Sequence, residues 1–273
     1  MIDSLTKLYG VFGNPVSHSL GPLMHNAAFA AKGINAVYLS FTINDIKKGI
    51  ESIRELDIKG VSITIPFKQR VIPFLDEIDK FASEIGAVNT VVNRNGILTG
   101  FNTDSYGAIE PLKQKISIEN KKVFIIGAGG AARAVAFGIK KEKGIIFIGN
   151  RSEQRGKILA EQTAGRFINL ANISEIDPDI IINTTPVGMI PDVNKSPVPA
   201  DLFKDHMTIM DIVYNPLRTK FIKDAEAAGC AVVDGLSMFI NQGAAQFEIF
   251  TGQKAPVKLM RRRVEGCINK NHC

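Results

Sequence analysis

Two short stretches of this sequence bring together residue types that could move a proton. In "GVSITIPFKQRV", Gly60 to Val71, an apolar run is cut by Pro66, with Thr64 just before it and Lys68 just after. Proline cannot donate to a sheet ladder, so a strand over Gly60 to Ile65 must stop there and deliver Lys68 at its rim. In "GFNTDSYG", Asn102, Thr103 and Asp104 follow a second β-rich run. Most lysines are simply solvated. A lysine and a carboxylate facing one cleft, however, make a proton-transfer pair suited to carbonyl reduction and alcohol oxidation.

A third stretch could hold a phosphate. "KKVFIIGAGGAARAVAFGI" places Gly127, Gly129, Gly130, Ala131 and Ala132 between an apolar strand and an apolar helix, in the spacing G-x-G-x-x-A. In that setting the glycines allow a tight turn and close backbone approach, while the helix N-terminus offers unpaired N–H groups and a positive dipole end to a pyrophosphate. The plainer alternative is a glycine turn needed only for packing the helix on the sheet. An NAD site would place Asp or Glu at the end of the next strand, about twenty residues on. Here "IIFIGNRSEQR" ends in Asn150 and Arg151, with Arg155 one turn later. Guanidinium groups match phosphate oxygens, so a 2′-phosphate, and with it NADP, is favoured over NAD. Glu153 in the same loop leaves a ribose contact open, and Arg151 as an ordinary surface residue remains the alternative.

These residues need elements to position them. Strand patterns at Tyr9 to Phe12, Ala36 to Phe41 and Gly60 to Ile65 alternate with helical patterns at Gly21 to Lys32 and Asp45 to Leu56, which implies βαβ units and a mainly parallel sheet. "TVVNRNGILTG" reads as a hairpin about Asn95-Gly96, forming an antiparallel edge that closes this sheet. A second alternating series begins at Val123 and continues through Ile145 to Ile148, Ile180 to Ile182, Thr208 to Val213 and Ala231 to Val233. The fold class is therefore α/β with two α/β domains. After Asp234 the pattern is helical again, in "SMFINQGAAQFEIFTG" and "VKLMRRRVEGCI", and periodicity leaves open which sheet these helices cover.

Composition excludes several classes. The 273 residues are 45% hydrophobic and 22% charged, enough to bury a sizeable core. The N-terminus "MIDSLTKLYG" has no secretory h-region, and the apolar stretch Val123 to Ile139 is broken by Arg133 and glycines, so a cytoplasmic protein without a membrane span is expected. Cys230, Cys267 and Cys273, with His18, His25, His206 and His272, match no zinc spacing, and no metal is expected. The net charge of +6 is scattered except at Lys258, Arg261, Arg262 and Arg263, a solvated face more than a nucleic-acid surface.

The motifs "GNPVSHSLGPLMHNAAF", "GVSITIPFK", "GAVNTVV", "GFNTD", "GAGGAARA", "NTTPVGM", "DIVYNP" and "DGLSMFINQGAAQFEIFTG", taken together, resemble the shikimate dehydrogenases from Gly13 to about Gly252. The resemblance implies NADP-dependent interconversion of 3-dehydroshikimate and shikimate by a monomer or homodimer acting on a small molecule. It implies a substrate domain over 1–104 plus 238–273, with the C-terminal helices returning to it, and a Rossmann NADP domain over 105–237. On matching positions, Ser17 and Ser19 would bind the substrate carboxylate, and Thr64, Asn89, Asp104 and Gln242 its ring hydroxyls. Lys68 would be the catalytic lysine beside Asp104, and Tyr214 would line the site. The cofactor set would be Gly127, Gly129, Gly130, Ala131, Asn150, Arg151, Arg155 and Gly235.

Plainer roles exist for some of these: Ser17 and Ser19 as caps of the helix after Leu20, Gln242 as a surface residue. One departure stands out. The family usually has asparagine where this chain has Ser62. A shorter hydroxyl there leaves open a broader quinate/shikimate dehydrogenase, and a noncatalytic NADP-binding sensor is a third reading.

Overall fold

The computed structural model describes residues 2–270. Two compact units emerge: one runs up to Thr103 and resumes at Gln242, and the other spans Asp104–Asn241.

The first unit starts with β1 (Lys7–Gly13), α1 (Gly21–Ala31), β2 (Ala36–Thr42), α2 (Ile46–Glu55) and β3 (Gly60–Ile63). It continues with β4 (Glu77–Ile78), α3 (Lys80–Ile85), β5 (Thr90–Arg94) and β6 (Ile97–Phe101). Helix α2 begins where Asp45 accepts backbone N–H bonds from Lys47 and Lys48, at 2.8 and 3.4 Å, the capping that an aspartate before an apolar-periodic run provides. Its Ile46, Ile50 and Ile53 pack with Phe12, Val61 and Ile63 of the sheet. Each such burial contributes about 1.5–3 kcal/mol.

The strands run in the order β2-β1-β3-β5-β6-β4. Asn95 and Gly96 both have positive φ, 56° and 87°, and close the β5–β6 hairpin. That hairpin is not the sheet edge, contrary to expectation: β4 lies outside β6 and pairs with it in parallel, Glu77 opposite Thr99. A two-residue strand flanked by acids carries no period-2 signal, so nothing in the sequence marks it. Strand β3 ends at Ile63, two residues short of the Gly60 to Ile65 reading, although Thr64 N–H still bonds the Phe12 carbonyl at 2.9 Å.

The second unit comprises α4 (Asp104–Lys113), β7 (Lys122–Ile126), α5 (Gly130–Lys141), β8 (Ile145–Gly149), α6 (Glu153–Gln162) and β9 (Arg166–Phe167). It goes on with β10 (Ile180–Asn183), β11 (Thr208–Asp211), α7 (Lys220–Ala227), β12 (Ala231–Val233) and the start of α8 (Gly235–Thr251). All pairings are parallel, in the order β12-β11-β10-β7-β8-β9. Read from β7, this is the 3-2-1-4-5-6 order of a Rossmann sheet, with the reversal between β7 and β10. Strands β7, β10 and β11 are nearly unbroken apolar runs because helices cover both faces.

The chain returns to the first unit within α8, and α9 (Val257–Ile268) packs against α1. Phe247 and Phe250 of α8 meet Phe29 and Tyr9 at ring-centroid distances of 5.6 and 5.2 Å. Among the described residues no helix is long and apolar enough to cross a membrane, and no cluster of His, Cys, Asp and Glu could hold a metal. His272 and Cys273 lie outside the described residues; Cys230 is a buried free thiol.

Candidate active site

The first sheet gathers its polar residues at one rim. Strands β1 and β3 are parallel, Phe12 opposite Ile63, while β5 runs against β3, Ser62 opposite Thr90, and β6 against β5, Thr90 opposite Phe101. The carboxyl ends of β1, β3 and β6 therefore meet the amino end of β5. Ser17 and Ser19 follow β1, Thr64 and Lys68 follow β3, Asn89 precedes β5, and Thr103 follows β6.

Each is held by its neighbours. A Cβ on Gly13 would fall within 2.3 Å of Thr64 Cγ2, so glycine at the end of β1 is what lets the Thr64 side chain approach. Lys68 is half-buried, and its carbonyl accepts the Val88 N–H at 2.7 Å, which ties it to the segment carrying Asn89. Asn89 is 2% exposed. Its Oδ1 accepts from Thr103 N–H at 2.8 Å and from Thr90 Oγ1 at 2.8 Å, while Nδ2 donates to Thr103 Oγ1 at 2.9 Å and to Gln242 Oε1 at 3.5 Å. Gln242 is thus part of this rim and not a surface residue.

Ser17 and Ser19 are not the cap residue of α1. That position is Leu20 without a side-chain bond, although Ser19 Oγ accepts the Gly21 N–H at 3.2 Å. Ser17 is exposed, with its Oγ 3.4 Å from His18 Nδ1. Asp104, the first residue of α4, is 4% exposed and belongs to the second unit.

The second unit collects its site at the carboxyl ends of β7, β8, β10, β11 and β12, where open α/β sheets bind ligands. Gly127 has φ +121°, and a Cβ there would lie 2.4 Å from Thr184 Oγ1, so only glycine fits the turn after β7. Gly129, the cap residue of α5, faces open space within 4 Å of its absent Cβ, and no side chain caps the helix. Gly130 and Ala131 open that helix, so its first N–H groups are left without a side-chain cap, the arrangement that suits an anion. Asn150, at the end of β8, donates to the Ser152 carbonyl at 2.9 Å, and Arg151 and Arg155 are exposed beyond it. Glu153 is drawn to Lys157 at 2.6 Å, leaving the arginines to set the charge of this loop. Uncapped N–H groups plus two guanidiniums fit a phosphorylated dinucleotide.

Two further residues of the expected set have close packing partners. Gly235 opens α8 with a would-be Cβ 2.3 Å from the Val213 carbonyl, which gives it a packing reason to be glycine. Tyr214 stacks on Phe239, centroids 4.5 Å apart, and burial pushes its phenol up to about 12.

Sequence reasoning missed the polar residues that brace these rims. Asp211 is fully buried at the end of β11 and accepts from Asn183 Nδ2 at 2.9 Å, Val213 N–H at 3.0 Å and Thr219 Oγ1 at 2.6 Å. Burial pushes its carboxyl up to about 6, against the pull of those donors. It ties together the loops after β10 and β11 and the cap of α7; the signal was a polar residue ending each of two apolar strands. Tyr38 and Gln246 brace the first rim in the same way. The i, i+4 spacing of Gln242 and Gln246 on an otherwise apolar helix is the pattern that points to the latter.

The chain matches the family descriptions "Shikimate dehydrogenase substrate binding domain" over residues 11–91, "Shikimate / quinate 5-dehydrogenase" over 110–213 and "Shikimate 5'-dehydrogenase C-terminal domain" over 235–265. It is 41% identical over 263 residues to the shikimate dehydrogenase (NADP(+)) of Pyrococcus furiosus, covering 96% of each chain. Among solved structures, a shikimate dehydrogenase in complex with NADP+ is similar at TM-score 0.94 and 40% identity, covering 98% of each chain. The shikimate 5-dehydrogenase of Thermus thermophilus in complex with NADP(H) and shikimate is similar at TM-score 0.89 and 35% identity, covering 96% of this chain and 99% of that one.

Proposed function

The chain belongs to the shikimate dehydrogenase family, and from that premise we propose that it catalyses the reversible NADP-dependent reduction of 3-dehydroshikimate to shikimate, on the route to chorismate and the aromatic amino acids. The observation that carries this reading is the single rim of the first sheet at which Ser17, Ser19, Thr64, Lys68, Asn89 and Gln242 gather. Hydroxyls, amides and one ammonium suit a small polyhydroxylated acid, because each absent substrate hydroxyl would leave a site group unpaired.

The first unit supplies most of the substrate contacts and the second the cofactor contacts. Ser17 and Ser19 receive the carboxylate; Thr64, Asn89, Asp104 and Gln242 hold the ring hydroxyls; Tyr214 lines the site. Lys68 donates a proton from Nζ to the carbonyl oxygen as negative charge develops there, and takes it back in the oxidative direction. The Asp104 carboxylate orients the reacting hydroxyl. The N–H groups of Gly129, Gly130 and Ala131 would hold the cofactor pyrophosphate, and Arg151 and Arg155 the 2′-phosphate. When bound, the nicotinamide supplies the hydride. The protein works in the cytoplasm as a monomer or homodimer, without nucleic acid.

Initial rates with shikimate or quinate, each with NADP or NAD, test the reading. Turnover confined largely to shikimate with NADP is expected. Comparable turnover of quinate would favour the broader quinate/shikimate enzyme that Ser62 leaves open, and no turnover with any pair would leave a cofactor-binding sensor.

A further inference from the structure

Ser62 does not stand open at the rim. It is 8% exposed on β3, its Oγ accepts from Tyr38 Oη–H at 2.6 Å, and it donates to Gln246 Oε1 at 2.9 Å. Gln246 is 3% exposed, and its Nε2 donates to the Asn89 carbonyl at 3.1 Å and to Thr90 Oγ1 at 3.0 Å. Thr90 Oγ1 in turn donates to Asn89 Oδ1 at 2.8 Å.

The direction of this chain is forced. A backbone carbonyl only accepts, so the Gln246 atom facing the Asn89 carbonyl must be the NH₂. Its oxygen then faces Ser62, which must donate, and the Ser62 oxygen must receive the Tyr38 proton. Thr90, having accepted from Gln246, spends its own proton on Asn89 Oδ1. The Thr103 N–H, which can only donate, fixes the same oxygen as acceptor, so the Asn89 NH₂ is turned toward Thr103 Oγ1 and Gln242. Protons therefore run one way, Tyr38 to Ser62 to Gln246 to Thr90 to Asn89, and the Ser62 proton is committed within the protein.

We propose that Ser62 and Gln246 act as a coupled positioning pair that withdraws position 62 from the substrate and braces Asn89 in its place at the rim. This rests on the substrate role given to Asn89 above. The pair also limits the size of the side chain that position 62 can hold. Asparagine is longer by a full amide, and with Gln246 only 2.9 Å from the serine oxygen there is no room for it unless Gln246 is shortened. Gln246 and Ser62 are thus one structural choice.

The test is steady-state kinetics of Ser62→Ala, Ser62→Thr, Gln246→Met and the Ser62→Ala/Gln246→Met double variant. Losing one link should raise KM for shikimate about tenfold, with KM for NADP changed less than about twofold and the double no worse than either single. Ser62→Thr, which keeps the hydroxyl, should stay near wild type. In addition, Ser62→Asn should be impaired alone and recover when combined with Gln246→Ala. Additive effects, parallel shifts in both KM values, or no recovery of Ser62→Asn by Gln246→Ala would overturn the pairing.

Wild-type turnover of shikimate separates this from the functional reading. If wild type is inactive, that reading fails while the pair is still measured, through the ¹⁵N side-chain resonances of Asn89 in the ligand-free protein. They should shift in Ser62→Ala and in Gln246→Met; unmoved resonances would overturn the pair as well.

Discussion

The two units build their sites from different parts of the chain. The first unit uses side chains: Asn89, Gln242, Thr103 and Gln246 interlock through hydrogen bonds of 2.8 to 3.5 Å among buried groups. The second uses backbone: a glycine at φ +121°, an uncapped helix start and exposed arginines at a strand end. A ring with several stereochemically distinct hydroxyls has to be met by groups of fixed length and polarity. A phosphate is a diffuse anion that N–H groups and guanidiniums satisfy with little more than the right turn and charge. The buried titratable groups differ too. His25, stacked on Tyr38 at 4.5 Å, has no hydrogen-bond partner for either ring nitrogen among the described residues, whereas Asp211 is met by three donors.

The comparison is broken most severely at the two residues proposed to handle the proton. Lys68→Ala and Asp104→Ala should each lower kcat by about 10²–10⁴-fold while the melting temperature and cofactor affinity stay close to wild type. Unfolding of either variant, or near-normal turnover, would remove the assigned role.

Acid should then pull the two units in opposite directions. Burial lowers His25 to about 4, so between that value and about 6.5 the unfolded chain holds a proton that the folded one does not. The first unit therefore loses stability as pH falls through this window, by about 3 kcal/mol at its foot. Asp211 is raised to about 6 from 3.8, so there the folded chain holds the extra proton. Its contribution is complete below 3.8 and is lost as pH rises toward 6, again by about 3 kcal/mol. Hydrogen exchange resolved by segment at pH 4.5 and 7, expressed as protection relative to the intrinsic amide rate at each pH, reads both: lower protection around α1 and β2 at low pH, higher protection around β10 and β11. His25→Phe, which cannot titrate, should abolish the first effect.

Smaller effects sharpen the cofactor side. Gly127→Ala meets both a backbone unsuited to L residues and the Thr184 hydroxyl at 2.4 Å, and should cost about 1–3 kcal/mol of stability along with most NADP affinity in a binding titration. Smallest is Arg151→Ala, which should weaken NADP about tenfold and leave NAD within about twofold. Equal loss with both cofactors would deprive Arg151 of its 2′-phosphate role.

Local chemistry made part of this molecule legible in advance. The helix from Asp45 to Leu56 appears with Asp45 as its cap and Leu56 at its end, because both termination signals lie within the segment itself. Asn95-Gly96 turns as its two positive φ angles require, and Gly127 needs glycine for reasons contained in its own loop. The motif residues were likewise readable in type and order along the chain.

What the sequence by itself determined is therefore the alternation of elements, their caps and turns, and the glycine loop after β7, all of which depend on neighbours a few positions away. The tertiary structure decided the rest. Strand β4 exists only because β6 offers it an open edge. Ser62 reads as a loosened substrate contact until Gln246, 184 positions away, arrives to take its proton. Asp211 became a brace only when Asn183 and Thr219 closed around it. A buried hydrogen bond is specified by which partner the fold brings within 3 Å, and no local propensity encodes a partner from another element.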